Sequence, residues 1–121
     1  MLLAAFCTLT VAVILGLGLS LFHLGVVRWR SWIVGALHGV IGAMGLGILA
    51  FALKGPAHGF ANGVQSFGKI AAITAAAALV GGCVYVLLPE MSRRGTNVLI
   101  GAHATLGIAA YVFLSGYILL G

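Results

Sequence analysis

"WIVGALHGVIGAMGLGILAFAL", residues 32–53, runs for twenty-two residues without one Asp, Glu, Lys or Arg. At 1.5 Å of rise per residue, a helix of this length crosses the roughly 30 Å hydrocarbon layer of a bilayer. One ionisable side chain, His38, sits inside it, surrounded by Gly35, Gly39, Gly42 and Gly45. Ionisable groups inside a membrane are rare, face the interior of a bundle and mark function. The segment therefore sets two questions: what His38 meets, and why the helix around it lacks side chains.

The rest of the chain has the same character. Of its 121 residues, 63% are hydrophobic and 6% charged, with a mean hydropathy of +1.26. Soluble domains carry about a quarter charged residues, so this chain is built for lipid. Further apolar segments cover about 2–27, 68–89 and 97–120. With 32–53 they make four spans in one domain, residues 1–121. Backbone in hydrocarbon must satisfy its own hydrogen bonds, so the spans are helices. Barrel strands would alternate apolar and polar residues, and these segments do not. The expected fold is an all-α, integral membrane four-helix bundle.

The connections set its direction. "RWRSW" (28–32) and "PEMSRRGTN" (89–97) are short, so the helices they join are antiparallel neighbours. "KGPAHGFANGVQSFGK" (54–69) is longer, Gly-rich and broken by Pro56. Arg28, Arg30, Arg93 and Arg94 fall on one side, Lys54 and Lys69 on the other. The positive-inside rule places the arginines in the cytoplasm and both termini outside it, as in a bacterial inner membrane. Trp29 and Trp32 fit the aromatic belt on the arginine side. The N-terminal segment lacks a basic start and an A-x-A cleavage site, and reads as a retained helix.

Several function classes drop out. The six basic residues are scattered between spans rather than gathered into a patch, which excludes nucleic acid as a partner. There is no aspartate for a Ser-His-Asp triad and no G-x-x-x-x-G-K-[ST] phosphate loop. Small multidrug transporters have four helices in a chain of this size but depend on a carboxylate in the first helix. Here the sole acid, Glu90, ends the third. Cys7 and Cys83 have no C-x-x-C spacing and read as unpaired, buried thiols.

An internal repeat appears when the chain is shifted by sixty-five residues. Gly16 then falls on Gly81, Arg28 on Arg93, His38 on His103 and Gly42 on Gly107. A hairpin duplicated in parallel would put equivalent residues at one depth around an axis along the membrane normal. His38 and His103 each lie about seven residues from an arginine connection, roughly 10 Å below the boundary. They should face each other across the interior.

A flat porphyrin between helices needs axial histidines and neighbours that shed side chains. Gly42 and Gly107 lie one turn past the histidines on the same face, and Gly35 and Gly45 lie near His38. Arg28 and Arg93, with Arg30 and Arg94, could pair with propionates. In "LHGVIG" (37–42) and "AHATLG" (102–107) the chain resembles small four-helix membrane b-type cytochromes and the haem core of transmembrane ferric reductases. The resemblance implies haem b, with His38 and His103 as the iron ligands, and electron transfer to a membrane or cytoplasmic partner. Many such proteins carry paired histidines on both sides of the membrane. This chain has one intramembrane pair, so a single haem is expected.

Other readings of the same residues remain open. Small residues four apart pack membrane helices closely without a cofactor. On that reading the chain is an accessory or assembly subunit that docks on a membrane-protein partner or on a second copy. A non-haem metal site would draw on His23, His38, His103 and Glu90. His23 shares a face with Ser20 and Gly16, fitting either a quinone pocket or a buried hydrogen bond. His58 reads as a solvated loop residue.

Overall fold

A computed structural model of the chain, described for residues 1–26, 32–55 and 63–120, is all-helical over its regular elements. Its helices are α1 (Leu2–His23), α2 (Trp32–Ala52), α3 (Val64–Leu87) and α4 (Arg93–Leu120). Each is long and apolar enough to cross a membrane. Arg28, Trp29, Arg30 and the loop His58 lie outside the described residues.

The helix ends follow local chemistry more closely than hydropathy. α1 stops at His23, short of the expected 27, because Gly25 adopts φ +75°. Its N–H bonds Phe22 O at 3.1 Å and that of Val26 bonds Leu21 O at 3.0 Å. This is the paired closure of a glycine-terminated helix. α4 starts four residues before the expected 97. Ser92 caps it, its Oγ accepting the Gly95 N–H at 3.2 Å. α3 begins at Val64 after Gly63, which sits at φ +106°, and ends before Pro89. The residue preceding a proline is driven out of helical conformation.

α1 packs on α2 and α3 packs on α4, as two hairpins. The hairpins meet more lightly along the α1–α4 and α2–α3 seams. α2 and α4 therefore stand on a diagonal, with their backbones apart. The core lies at the lysine end: Ala5, Leu49, Val64, Ala71, Leu114 and Tyr117 are buried there, with Phe6, Phe67 and Phe113 around them. Lipid tails are as apolar as leucine, so close packing and interhelical hydrogen bonds drive association here. The closest packing uses glycine. A Cβ on Gly45 would sit 2.7 Å from Leu9 Cγ, and one on Gly68 2.7 Å from Leu53 Cδ2. Val11, Ile14, Val40, Met44, Ile73 and Val112 point outward as the lipid-facing surface.

The duplication is visible in what is buried, with one correction. In α2 and α4 the equivalences keep the sixty-five-residue shift: His38 with His103, Gly45 with Ala110, Leu49 with Leu114. In α1 and α3 the shift is one residue longer. Ala5 matches Ala71, Thr8 matches Thr74, Ala12 matches Ala78, and Gly16 matches Gly82 rather than Gly81. The two threonines even make the same bond, to Ala4 O at 2.8 Å and to Ile70 O at 2.7 Å. The ungapped alignment fails in the odd helices because the second hairpin closes one residue sooner. Cys7 and Cys83 are free thiols, as expected, but lie on the outer surface rather than buried.

Candidate functional site

His38 is seven residues into α2, and His103 is eleven residues into α4, which starts further out. The extra turn of α4 brings both to one level. Their rings meet across the diagonal, with centroids 5.7 Å apart and planes at 80°. The two Nε2 atoms are 3.4 Å apart.

Each ring is also tied to its own hairpin partner. His38 Nδ1 lies 2.8 Å from Ala12 O on α1, and His103 Nδ1 lies 2.7 Å from Ala78 O on α3. A carbonyl oxygen only accepts, so both Nδ1 atoms carry hydrogen and donate it. In the neutral imidazole the other nitrogen is then a bare acceptor. The site thus aims two Nε2 lone pairs at each other in a half-buried, apolar setting. Two acceptors at that distance repel unless an electrophile, a proton or a metal ion, lies between them. A backbone carbonyl on the distal N–H is also the usual way a protein fixes the tautomer of a metal-binding histidine.

The donor set therefore suits a metal ion shared by two imidazoles. Imidazole–metal bonds run about 2.0 Å, the value for zinc, so two nitrogens in line on one metal would stand about 4 Å apart. The rings would part by about 0.6 Å from the observed 3.4 Å. α2 and α4 are not in close backbone contact, so this widening would be taken up by the ring contacts with α1 and α3 rather than by an α2–α4 seam.

The surrounding glycines divide into two kinds. At Gly35, Gly39 and Gly107 an added Cβ would meet nothing within 4 Å. Gly42 faces Ala12, 3.9 Å from where its Cβ would be, and Gly45 is covered by Leu9. Those two face α1 and serve the helix seam. Arg93 and Arg94 open α4 and are exposed at the arginine end. The proposed partner Arg28 lies outside the described residues.

The remaining polar candidates do not converge on the histidine pair. His23 is exposed and donates its Nε2–H to Asn97 Oδ1 at 3.1 Å, joining α1 to α4 at the arginine end. The buried role expected for it is corrected to this surface link. Glu90 is exposed in the α3–α4 turn. Among the described residues no three of His, Cys, Asp and Glu gather as a metal would require. The four-ligand set of His23, His38, His103 and Glu90 is not assembled.

Four contributors escaped the sequence reading: the carbonyls of Ala12 and Ala78, and Gly16 and Gly82 beside the rings. A-x-x-x-G in both odd helices, visible at the longer shift, was the available signal. No family model, curated protein or solved structure matches the chain.

Proposed function

We propose that this chain is a small membrane electron carrier that binds one haem b between α2 and α4, with His38 and His103 as axial ligands. The observation that carries the proposal is the pair of opposed Nε2 lone pairs, 3.4 Å apart, with both Nδ1–H groups committed to Ala12 O and Ala78 O. Haem, when bound, supplies a one-electron ferric–ferrous couple. The chain's own residues do the rest. The two carbonyls hold each imidazole in the metal-binding tautomer and make its Nε2 more basic. The lipid-facing shell of α1–α4 keeps water from the site. Gly35 and Gly107, where an added Cβ would meet nothing within 4 Å, would give the plate room beside the ligands. Arg93, exposed at the start of α4, would pair with a propionate at the arginine boundary. The charge asymmetry of the connections favours the cytoplasm for that boundary, which supports a membrane or cytoplasmic redox partner on that side.

The optical spectrum of the detergent-purified chain, expressed with ample haem, tests this. Low-spin haem absorption is expected in the wild type and lost in His38→Ala and His103→Ala, with four spans still inserted. A well-folded chain without haem refutes the proposal.

One observation favours a second reading. Gly45 against Leu9 and Gly42 against Ala12 are close helix contacts that need no cofactor. On this reading the chain is an accessory subunit and the histidine pair shares a proton as an interhelical pin. Haem-free protein destabilised by loss of either histidine supports it.

A further inference from the structure

We infer that Gly16 and Gly82 are positioning residues that fix the two imidazole planes nearly perpendicular, and so set the electronic character of the iron; this rests on the haem reading above. Neither glycine touches the reacting atoms. Each lies one turn beyond the carbonyl that receives a ring N–H: Gly16 beyond Ala12, Gly82 beyond Ala78. To reach that carbonyl, the imidazole must bring its Nδ1–Cε1 edge close over the next turn of helix, where a Cβ would crowd it.

The distances support this. A Cβ on Gly16 would stand 2.9 Å from His38 Cε1 and 3.3 Å from its Nδ1. A Cβ on Gly82 would stand 3.2 Å from His103 Cε1 and 3.4 Å from its Nδ1. The neighbouring Gly81 faces instead the Cβ and backbone of His103, at 3.7 Å and 4.0 Å. Gly18, one half-turn from Gly16 on α1, meets nothing within 4 Å. The contact with the rings is thus particular to the equivalent pair, one on each odd helix.

Because the carbonyls come from different hairpins, the two rings cannot rotate together. The duplication carries one arrangement into the other around the bundle axis, and the planes end at 80°. Each imidazole donates π density into the iron d orbital perpendicular to its own plane. Parallel rings load one orbital and split the pair. Crossed rings load both and leave them nearly degenerate. A low-spin ferric ion with degenerate orbitals gives a strongly anisotropic resonance with one prominent low-field feature; parallel rings give a three-line rhombic spectrum.

The test is low-temperature electron paramagnetic resonance of the oxidised, haem-loaded full chain, comparing wild type, Gly16→Ala, Gly82→Ala and Gly18→Ala. The wild type and Gly18→Ala should show the single low-field feature. Gly16→Ala should shift intensity toward the rhombic pattern, and Gly82→Ala, with its milder contact, should do so less. A merely structural role would lower stability without moving the resonance. A rhombic wild-type spectrum overturns the inference while the haem reading stands, as do Gly16→Ala and Gly82→Ala spectra identical to the wild type. Should Gly16→Ala fail to bind haem, the wild-type and Gly82→Ala spectra still decide. A wild-type chain without any haem overturns the haem reading itself, and the inference with it.

Discussion

Gly45→Ala is the substitution whose effect the packing specifies most closely. The new Cβ would stand 2.7 Å from Leu9 Cγ, 2.8 Å from its Cδ2 and 3.3 Å from its backbone N. Carbon atoms rest at about 3.5–4.0 Å, so the shortfall is about 1 Å. Cγ is a branch point rather than a free end, and the backbone nitrogen blocks retreat into α1. The helix must therefore move. Overpacking of this kind costs about 1–3 kcal/mol, against a gain of about 0.5–1 kcal/mol for replacing a helical glycine. The expected net loss is on the order of 1–2 kcal/mol. Leu9→Ala removes Cγ and Cδ2, the two closest obstructing atoms, and leaves only the 3.3 Å approach to the backbone N, so Gly45→Ala added to it should be neutral or stabilising. The coupling between the two sites should then be about 1–3 kcal/mol, inside the 0.5–3 kcal/mol found for touching residues. Unfolding in mixed micelles of rising sodium dodecyl sulfate, followed by the near-ultraviolet circular dichroism of the tyrosines, measures all four variants. If Gly45→Ala costs the same with and without the Leu9 side chain, the reasoning fails. The displacement should also reach the site. Ala12 is one turn from Leu9, and its carbonyl is tied to His38. Haem absorption should weaken in Gly45→Ala and recover in the double variant.

At Gly107, where a Cβ meets nothing within 4 Å, Gly107→Ala should leave unfolding within about 0.5 kcal/mol of wild type, the range for substitutions that touch nothing. Gly107→Leu adds the bulk that would displace the plate and should reduce haem bound per chain; unchanged haem content would remove Gly107 from the site. Tyr111→Phe deletes the donor to Thr10 Oγ1, 3.0 Å away across the α1–α4 seam, and keeps the ring stacked on Phe6. It should cost about 0.6 kcal/mol, with about 1.7 as the ceiling for such bonds in a membrane. Thr10→Val in the Tyr111→Phe background should add less than Thr10→Val alone, as double-variant unfolding would register. In a chain with Cys7 and Cys83 replaced by Ala, Gly63→Cys and Gly95→Cys should label with impermeant thiol reagents from opposite sides of intact cells. Labelling of both from one side would end the four-span arrangement.

The spans and the meeting of the histidines were legible because hydrocarbon leaves few choices. Unbroken apolar runs of about twenty residues must be helices, and two polar rings at one depth seek each other. The helix ends were less legible because hydropathy marks the lipid boundary, while Ser92 and Gly25 mark where the backbone starts and stops. The one-residue slip between α1 and α3 was hidden by degeneracy. Ala75–Ala78 and the Gly81–Gly82 pair look alike under either shift, and only the ring resting on Gly82 distinguishes them. The fate of Gly45 was illegible for a related reason. A glycine announces that something comes close but not what, and here it is Leu9 on a neighbouring helix. The Thr10–Tyr111 bond had no counterpart to betray it, since the equivalent positions are Ala76 and Leu46.

Among the described residues, three side-chain contacts that join the hairpins share a partner helix: the His23–Asn97 and Thr10–Tyr111 hydrogen bonds and the meeting of the His38 and His103 rings all end on α4. During synthesis α4 emerges after the other three helices. Until it arrives, His38 and Thr10 wait in the membrane with only the bonds their own hairpin supplies, to Ala12 O and Phe6 O. The first hairpin thus satisfies its own polar groups before the second arrives, and α4 closes all three links. A cofactor held by both histidines would have its full donor set only once translation has passed residue 103.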